Sequence, residues 1–369
     1  MAARKRQKAA PEPAAPAPVV GRASILTPAL DLLVAGGLSL VVFIPLLLSG
    51  RRDLVIVGAG AQALLGTAFN MPHFMASYRL VYRDRESIMK HKWASMYVPA
   101  ILLAYTIFAL AEARESPAAT IVLISVASAY LAWHYTGQVW GMMASFAYLE
   151  GMRWEPRERI MVRTSLRILL VWHITWFLYT QLQDPSVVRP FYEAALAASS
   201  IAFLLGLSAF WLVKRRTGRF PPNRALVAWL AIFVWYAMMW RDPKAIFWIQ
   251  IAHALQYLAF PIRVEINRTN AEEHAHHGRP VLMHMVLYVV ILLGVSVIMA
   301  QLVPYSAMSV IGKVYGEAPA KAAPILILMF INIHHYFTDG VIWRLRNPDV
   351  RKELFAHVPA PRAAKGTRA

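Results

Sequence analysis

The sequence predicts an all-α protein, a polytopic integral membrane helical bundle of about ten transmembrane helices with both termini cytoplasmic. Three observations predict it. Of the 369 residues, 58% are hydrophobic and only 16% are charged, whereas a soluble domain is nearer half apolar and a quarter charged. The apolar residues gather into runs close to the 20 or so that a helix needs to cross a bilayer. Most of the 38 Lys and Arg residues fall in the loops that alternate runs assign to one side, which is the positive-inside pattern. That distribution accounts for the net charge of +18 without nucleic acid as a partner.

The elements follow in order. Residues 1–27 are basic, then rich in Ala and Pro, with no signal-peptide core before the prolines; they read as a disordered cytoplasmic tail. A transmembrane domain is expected over 28–346, with spans at 30–49, 54–77, 95–112, 118–148, 160–182, 193–213, 225–240, 245–265, 281–303 and 323–343. The fourth is long and the seventh short, so counts of nine and eleven stay open. Residues 347–369 read as a basic cytoplasmic tail, and a bacterial inner membrane is the expected location. No loop is long enough to form a domain of its own. No internal repeat supports a duplicated-transporter architecture. Cysteine is absent, so disulfides and thiolate ligands are excluded. Any metal falls to His, Asp, Glu, Asn, Gln or backbone oxygen.

An ionisable residue inside a span points to function, and four spans carry histidines with polar company. In "GTAFNMPHFMASY", Gly66, Asn70, His73 and Ser77 share one helical face; Pro72 loosens the helix beside them. In "YLAWHYTGQVWGMMAS", Tyr130, His134, Gln138, Gly141 and Ser145 form one stripe. "WIQIAHALQY" groups Gln250, His253, Gln256 and Tyr257, and "NIHHYFTDG" sets Asn332, His335 and Asp339 at three- and four-residue steps. A metal-bound imidazole usually donates its second ring N–H to an oxygen. Asn70, Gln138, Gln256 and Asp339 are candidate acceptors of that kind, with Asn332 beside them. Consecutive helical residues are rotated by about 100°, so His334 and His335 point different ways. His335 is the better-supported ligand, and His334 is kept as a substitute or additional one.

Other motifs carry less. His173 has only Leu169, Leu170, Trp176 and Phe177 at helical spacing and reads as structural. His274, His276 and His277 sit in a loop that reads as solvated. His284 opens the ninth span and belongs to either environment. Arg163 and Arg167, one turn apart, are candidates for contact with an anion or a lipid headgroup, against simple snorkelling towards the surface. Gly58 and Gly60 lack the strand–turn–helix setting of a dinucleotide loop.

The islands "NMPHF", "WHYTG", "AHALQYL" and "NIHHYFTDG" resemble the bacterial and archaeal β-carotene-cleaving dioxygenases of the Brp/Blh family. Those are polytopic membrane proteins with iron held among histidines on different helices. The likeness covers short stretches only. Phe74, Met75 and Ala76 stand where the family places glycine and aspartate after its first Pro-His. The late histidine pair is adjacent here rather than four residues apart. The resemblance implies a non-haem iron site.

The leading expectation is an integral-membrane non-haem iron oxygenase acting on a lipid or isoprenoid from the bilayer, with an electron donor as a further partner. His73, His134, His253 and His335 are its expected ligands. Two alternatives stay open: a b-type haem electron-transfer protein, and a transporter or proton pathway that uses the His, Asp and Gln residues with no cofactor.

Overall fold

The computed structural model describes residues 23–50, 57–274, 280–345 and 347–358. Most of the N-terminal tail, His276, His277 and residues 359–369 therefore lie outside the described residues. Among those described there are helices and no strands, and the chain is an all-α polytopic bundle. In chain order the helices are α1 Pro28–Ser49, α2 59–81, α3 Arg85–Lys90, α4 Trp93–Glu112, α5 Ala118–Leu149, α6 Pro156–Gln181, α7 Arg189–Thr217, α8 Asn223–Arg241, α9 Ala245–His274, α10 Val281–Tyr315, α11 Glu317–Ile342 and α12 Pro348–Leu354.

Nine of these are long and apolar enough to cross a membrane, among the described residues. They correspond to nine of the ten expected spans, and they make this an integral membrane protein. The remaining expected span, 54–77, falls on α2. That helix is long enough, but Gln62, Asn70 and His73 make it too polar to join the nine. Its polarity is explained by its neighbours. Met71 to Ser77 are all buried, so α2 meets protein on the faces where a lone span would meet lipid. The observed helices overrun the expected limits elsewhere. α9 continues to His274 and α10 to Tyr315.

Helix ends follow local chemistry. Thr27 caps α1 by accepting from the Leu30 amide. Glu155 and Glu158 form a reciprocal capping box at α6, with Pro156 in its first turn. Gly218 closes α7 in the left-handed conformation at φ 77°. Gly36 bends α1 at φ 137°, and a Cβ built there would lie 2.4 Å from the Ala231 side chain. Only glycine lets α1 and α8 approach so closely.

Ion pairs tie helix ends together on one side of the bundle. Asp31 accepts from the amides of Ile25 and Leu26 and from Arg224, whose other Nη reaches Glu150. Glu158 pairs with Arg216. The segment 348–358 is not loose. Asn267 of α9 donates to the carbonyls of Glu353 and Leu354, and Leu354 and Phe355 are buried.

Candidate metal centre

Four buried imidazoles converge from four helices: His73 of α2, His134 of α5, His253 of α9 and His335 of α11. Ring centroids lie 4.6 Å apart for His73 and His335, 4.8 Å for His134 and His253, 4.9 Å for His134 and His335, and 5.4 Å for His73 and His253. All four pairs meet edge to face. One nitrogen from each of His73, His134 and His335 falls within 4.8 Å of the others, a grouping that suits a metal ion. His253 flanks that trio, with its Nε2 2.9 Å from His134 Nε2. Two nitrogens each about 2.1 Å from one ion and at right angles to each other are about 3 Å apart, so this pair has the spacing of neighbouring ligands.

The hydrogen bonds assign which ring atoms face inward. A wide turn over Gly66–Asn70, followed by Pro72 with no N–H, loosens the α2 backbone. The Asn70 carbonyl there lies against His73 Nδ1. A carbonyl only accepts, so Nδ1 carries the proton and Nε2 the lone pair. Ser77 Oγ donates to the Phe74 carbonyl at 2.8 Å and lies 2.8 Å from His335 Nδ1. With its proton so used, it accepts from Nδ1–H, and His335 Nε2 is likewise left with its lone pair. Both Nε2 atoms are buried with no hydrogen-bond partner. An orphaned buried acceptor costs about 1–3 kcal/mol, and two of them aimed into one cluster are what a metal ion would satisfy. The donor set therefore fits a metal ion.

Asp339 completes one side. Its Oδ1 accepts from Tyr257 at 2.8 Å, and Trp343 donates to Tyr257 at 2.9 Å. Its Oδ2 lies 3.5 Å from His335 Nε2 and 3.7 Å from His134 Nδ1. These distances place the carboxylate beside the trio, close enough to share an ion with it.

Several expected partners sit elsewhere. His334 is not part of the cluster. Its Nε2 lies 3.0 Å from the Ala94 carbonyl and 3.1 Å from the Tyr82 hydroxyl, and its ring stacks on Tyr78. The 100° step between adjacent helical residues turns it towards α4. Asn70 serves through its backbone carbonyl rather than its side chain. Gln138 donates to the His253 carbonyl and to Gln256, and Gln256 donates to the Ala35 carbonyl. These amides brace α5, α9 and α1 and orient no imidazole. Asn332 turns outward to Tyr336 and the Leu328 carbonyl. Arg163 and Arg167 line a small surface hollow with Trp140 and Leu166, outside the cluster. His173 bonds Tyr236 at 3.1 Å, and His284 bonds Glu265 at 2.8 Å. Sequence reading missed Ser77 as a partner of His335, and Tyr257 with Trp343 as holders of Asp339. Ser77 lay on the His73 stripe, which was its only signal.

A cavity of about 230 Å³ opens from the His134–Asp339 side of the cluster towards Arg344 and Leu354. The α5 stripe of His134, Gln138, Gly141 and Ser145 forms one wall, and Tyr336, Asp339, Gly340 and Trp343 form the other. Compared with known proteins, the chain matches no family model, no curated protein and no solved structure.

Proposed function

We propose that this protein is an integral-membrane metal-dependent oxygenase whose substrate is a lipid or isoprenoid, most simply of a bacterial inner membrane with both chain termini on the cytoplasmic side. The observation that carries the proposal is the pair of buried, unpartnered Nε2 atoms of His73 and His335, facing His134 with Asp339 beside them. His73, His134 and His335 hold the ion, and His253 supplies a fourth imidazole next to His134. Asp339 takes or shares a further position. Imidazoles with a carboxylate and open positions are the donor set of non-haem iron oxygenases. A bound iron supplies the one-electron chemistry through which dioxygen reacts with a C–H or C=C bond. A dioxygenase that cleaves a C=C bond puts both oxygen atoms into two carbonyl products and needs no outside reductant. A hydroxylase returns one atom as water and draws two electrons from a donor.

The chain's own residues do the remainder. Asn70 and Ser77 fix the rings of His73 and His335. Tyr257 and Trp343 hold Asp339. The packed helices close the centre on its other sides, and the cavity on the His134–Asp339 side admits an apolar chain. Haem fits less well. Two axial imidazoles must straddle a flat macrocycle, and rings packed edge to face at centroid distances under 5.5 Å leave no slot for one.

Purification in mild detergent with an absorption spectrum and elemental analysis tests the reading. Iron at about one per chain without the intense Soret band of haem is expected. A Soret band would replace the oxygenase with a cytochrome. Failure to retain any transition metal after iron reconstitution would leave a metal-free polar pathway.

A further inference from the structure

We propose that the cavity between α5 and α11 is the binding site for a single-chain amphiphile with an anionic head, its tail end at the histidine centre and its head at Arg344. The proposal rests on the oxygenase reading for its purpose, and names the substrate class of that site.

Three features of the cavity support it. Its walls are largely apolar, with Trp133, Met142, Phe260, Leu345 and Leu354 among them, while polar groups gather at the inner end around His134 and Asp339. An apolar cavity of 150 Å³ holds one benzene ring, so the 230 Å³ here holds roughly nine non-hydrogen atoms. That is a length of chain, not a complete two-tailed lipid or a long polyene. Gly137, Gly141 and Gly340 line it, and a Cβ built at any of them meets nothing within 4 Å. These glycines relieve no backbone clash. They hold the space open.

The mouth selects charge. Arg344 lies on the lining, is exposed, and donates Nε to the Gly340 carbonyl at 2.7 Å. Among the described residues no carboxylate lies within ion-pair distance of it; Glu353 and Asp349 on the nearby segment are taken by Arg83 and Lys90. A carboxylate or a phosphate monoester is the complement that a guanidinium binds through paired N–H groups.

The test is binding of a short-chain fluorescent fatty acid to the purified chain in neutral detergent, with displacement by octanoate, octyl phosphate or octanol, whose chains match the cavity. Metal content is measured on the same sample. Saturable binding of one probe per chain is expected, displaced by one or both anions and at least tenfold less well by the alcohol. The better anion identifies the head as carboxylate or phosphate. Arg344→Gln should weaken the anion about tenfold and leave the alcohol unchanged. Gly141→Leu, which fills open space, should abolish binding of all three while the protein keeps its thermal stability; Gly137→Leu provides a second plug. Equal displacement by acid, phosphate and alcohol, or an unaltered affinity in Arg344→Gln, overturns the anionic head. Binding that survives both plugs overturns the site. Repeating the assay on chelator-stripped protein separates the two readings. Amphiphile binding without any metal capacity sinks the oxygenase and leaves this site standing; metal without amphiphile binding does the reverse.

Discussion

Ser77 Oγ on α2 lies 2.8 Å from Nδ1 of His335 on α11, 258 residues away along the chain. Its own proton is used on the Phe74 carbonyl, so it receives the ring N–H and turns His335 Nε2 towards the other imidazoles. Ser77→Ala removes that acceptor without adding bulk. Loss of such an outer partner typically weakens metal affinity by about 10- to 100-fold. Chelator competition measures it, and an unchanged affinity would remove Ser77 from the centre.

The two adjacent histidines should separate cleanly. His335→Ala is expected to abolish stoichiometric metal, as are His73→Ala and His134→Ala. His334→Ala should keep it, because that ring bonds Ala94 and Tyr82. His253→Ala, which removes the flanking ring, should weaken binding less than loss of any of the trio. Elemental analysis of helical, monodisperse protein reads all five. Metal lost from His334→Ala alone would make His334, and not His335, the ligand from α11.

Arg224 neutralises a fully buried Asp31 and bridges to Glu150. Arg224→Met strands that carboxylate, and breaking such a pair from one side costs about 3–5 kcal/mol. Unfolding in detergent should show the loss. Adding Asp31→Asn should recover part of it, since the two changes share one interaction. Strict additivity would show that the pair is not coupled.

The docking of α12 should weaken in acid. His357 Nε2 lies 2.7 Å from the Ser24 carbonyl, and Asn267 donates to its Nδ1 at 3.3 Å. Partial burial holds its pKa below the ordinary 6.5, and Arg263 adds to this while Asp31 and the Ser24 carbonyl oppose it. A depressed histidine pKa means that the folded arrangement prefers the neutral ring. The stabilisation is therefore complete above about 6.5 and is lost as pH falls below it. Hydrogen exchange across 348–355, corrected for intrinsic rates, should rise between about pH 7.5 and pH 5.5, the range in which histidine titrates. His357→Gln should flatten that rise; a rise of the same size in the variant would assign it to another group.

Much of the fold was legible because its signals are local. Apolar runs long enough to span a bilayer are read along the chain. α2 shows the limit: its helix was expected, yet its polar face makes sense only once Met71 to Ser77 are seen buried against other helices. The site divides the same way. Helical spacing put His73, His134, His253 and His335 on polar stripes. It also nominated Gln138, Gln256 and Asn332 as ring partners, and those side chains brace backbone or face outward instead.

The sequence by itself determined that this is a helical membrane protein and which histidines an apolar span keeps at a cost. The tertiary structure decided that four of them meet, that His335 faces the cluster while His334 is buried against α4, that a backbone carbonyl and Ser77 orient two rings, and that three glycines line a cavity. The physical reason is one of range. The 3.6-residue repeat sets which residues of one helix share a face. The rotation of each helix about its axis is settled only by packing against partners scores to hundreds of residues away, and no single run of sequence records it.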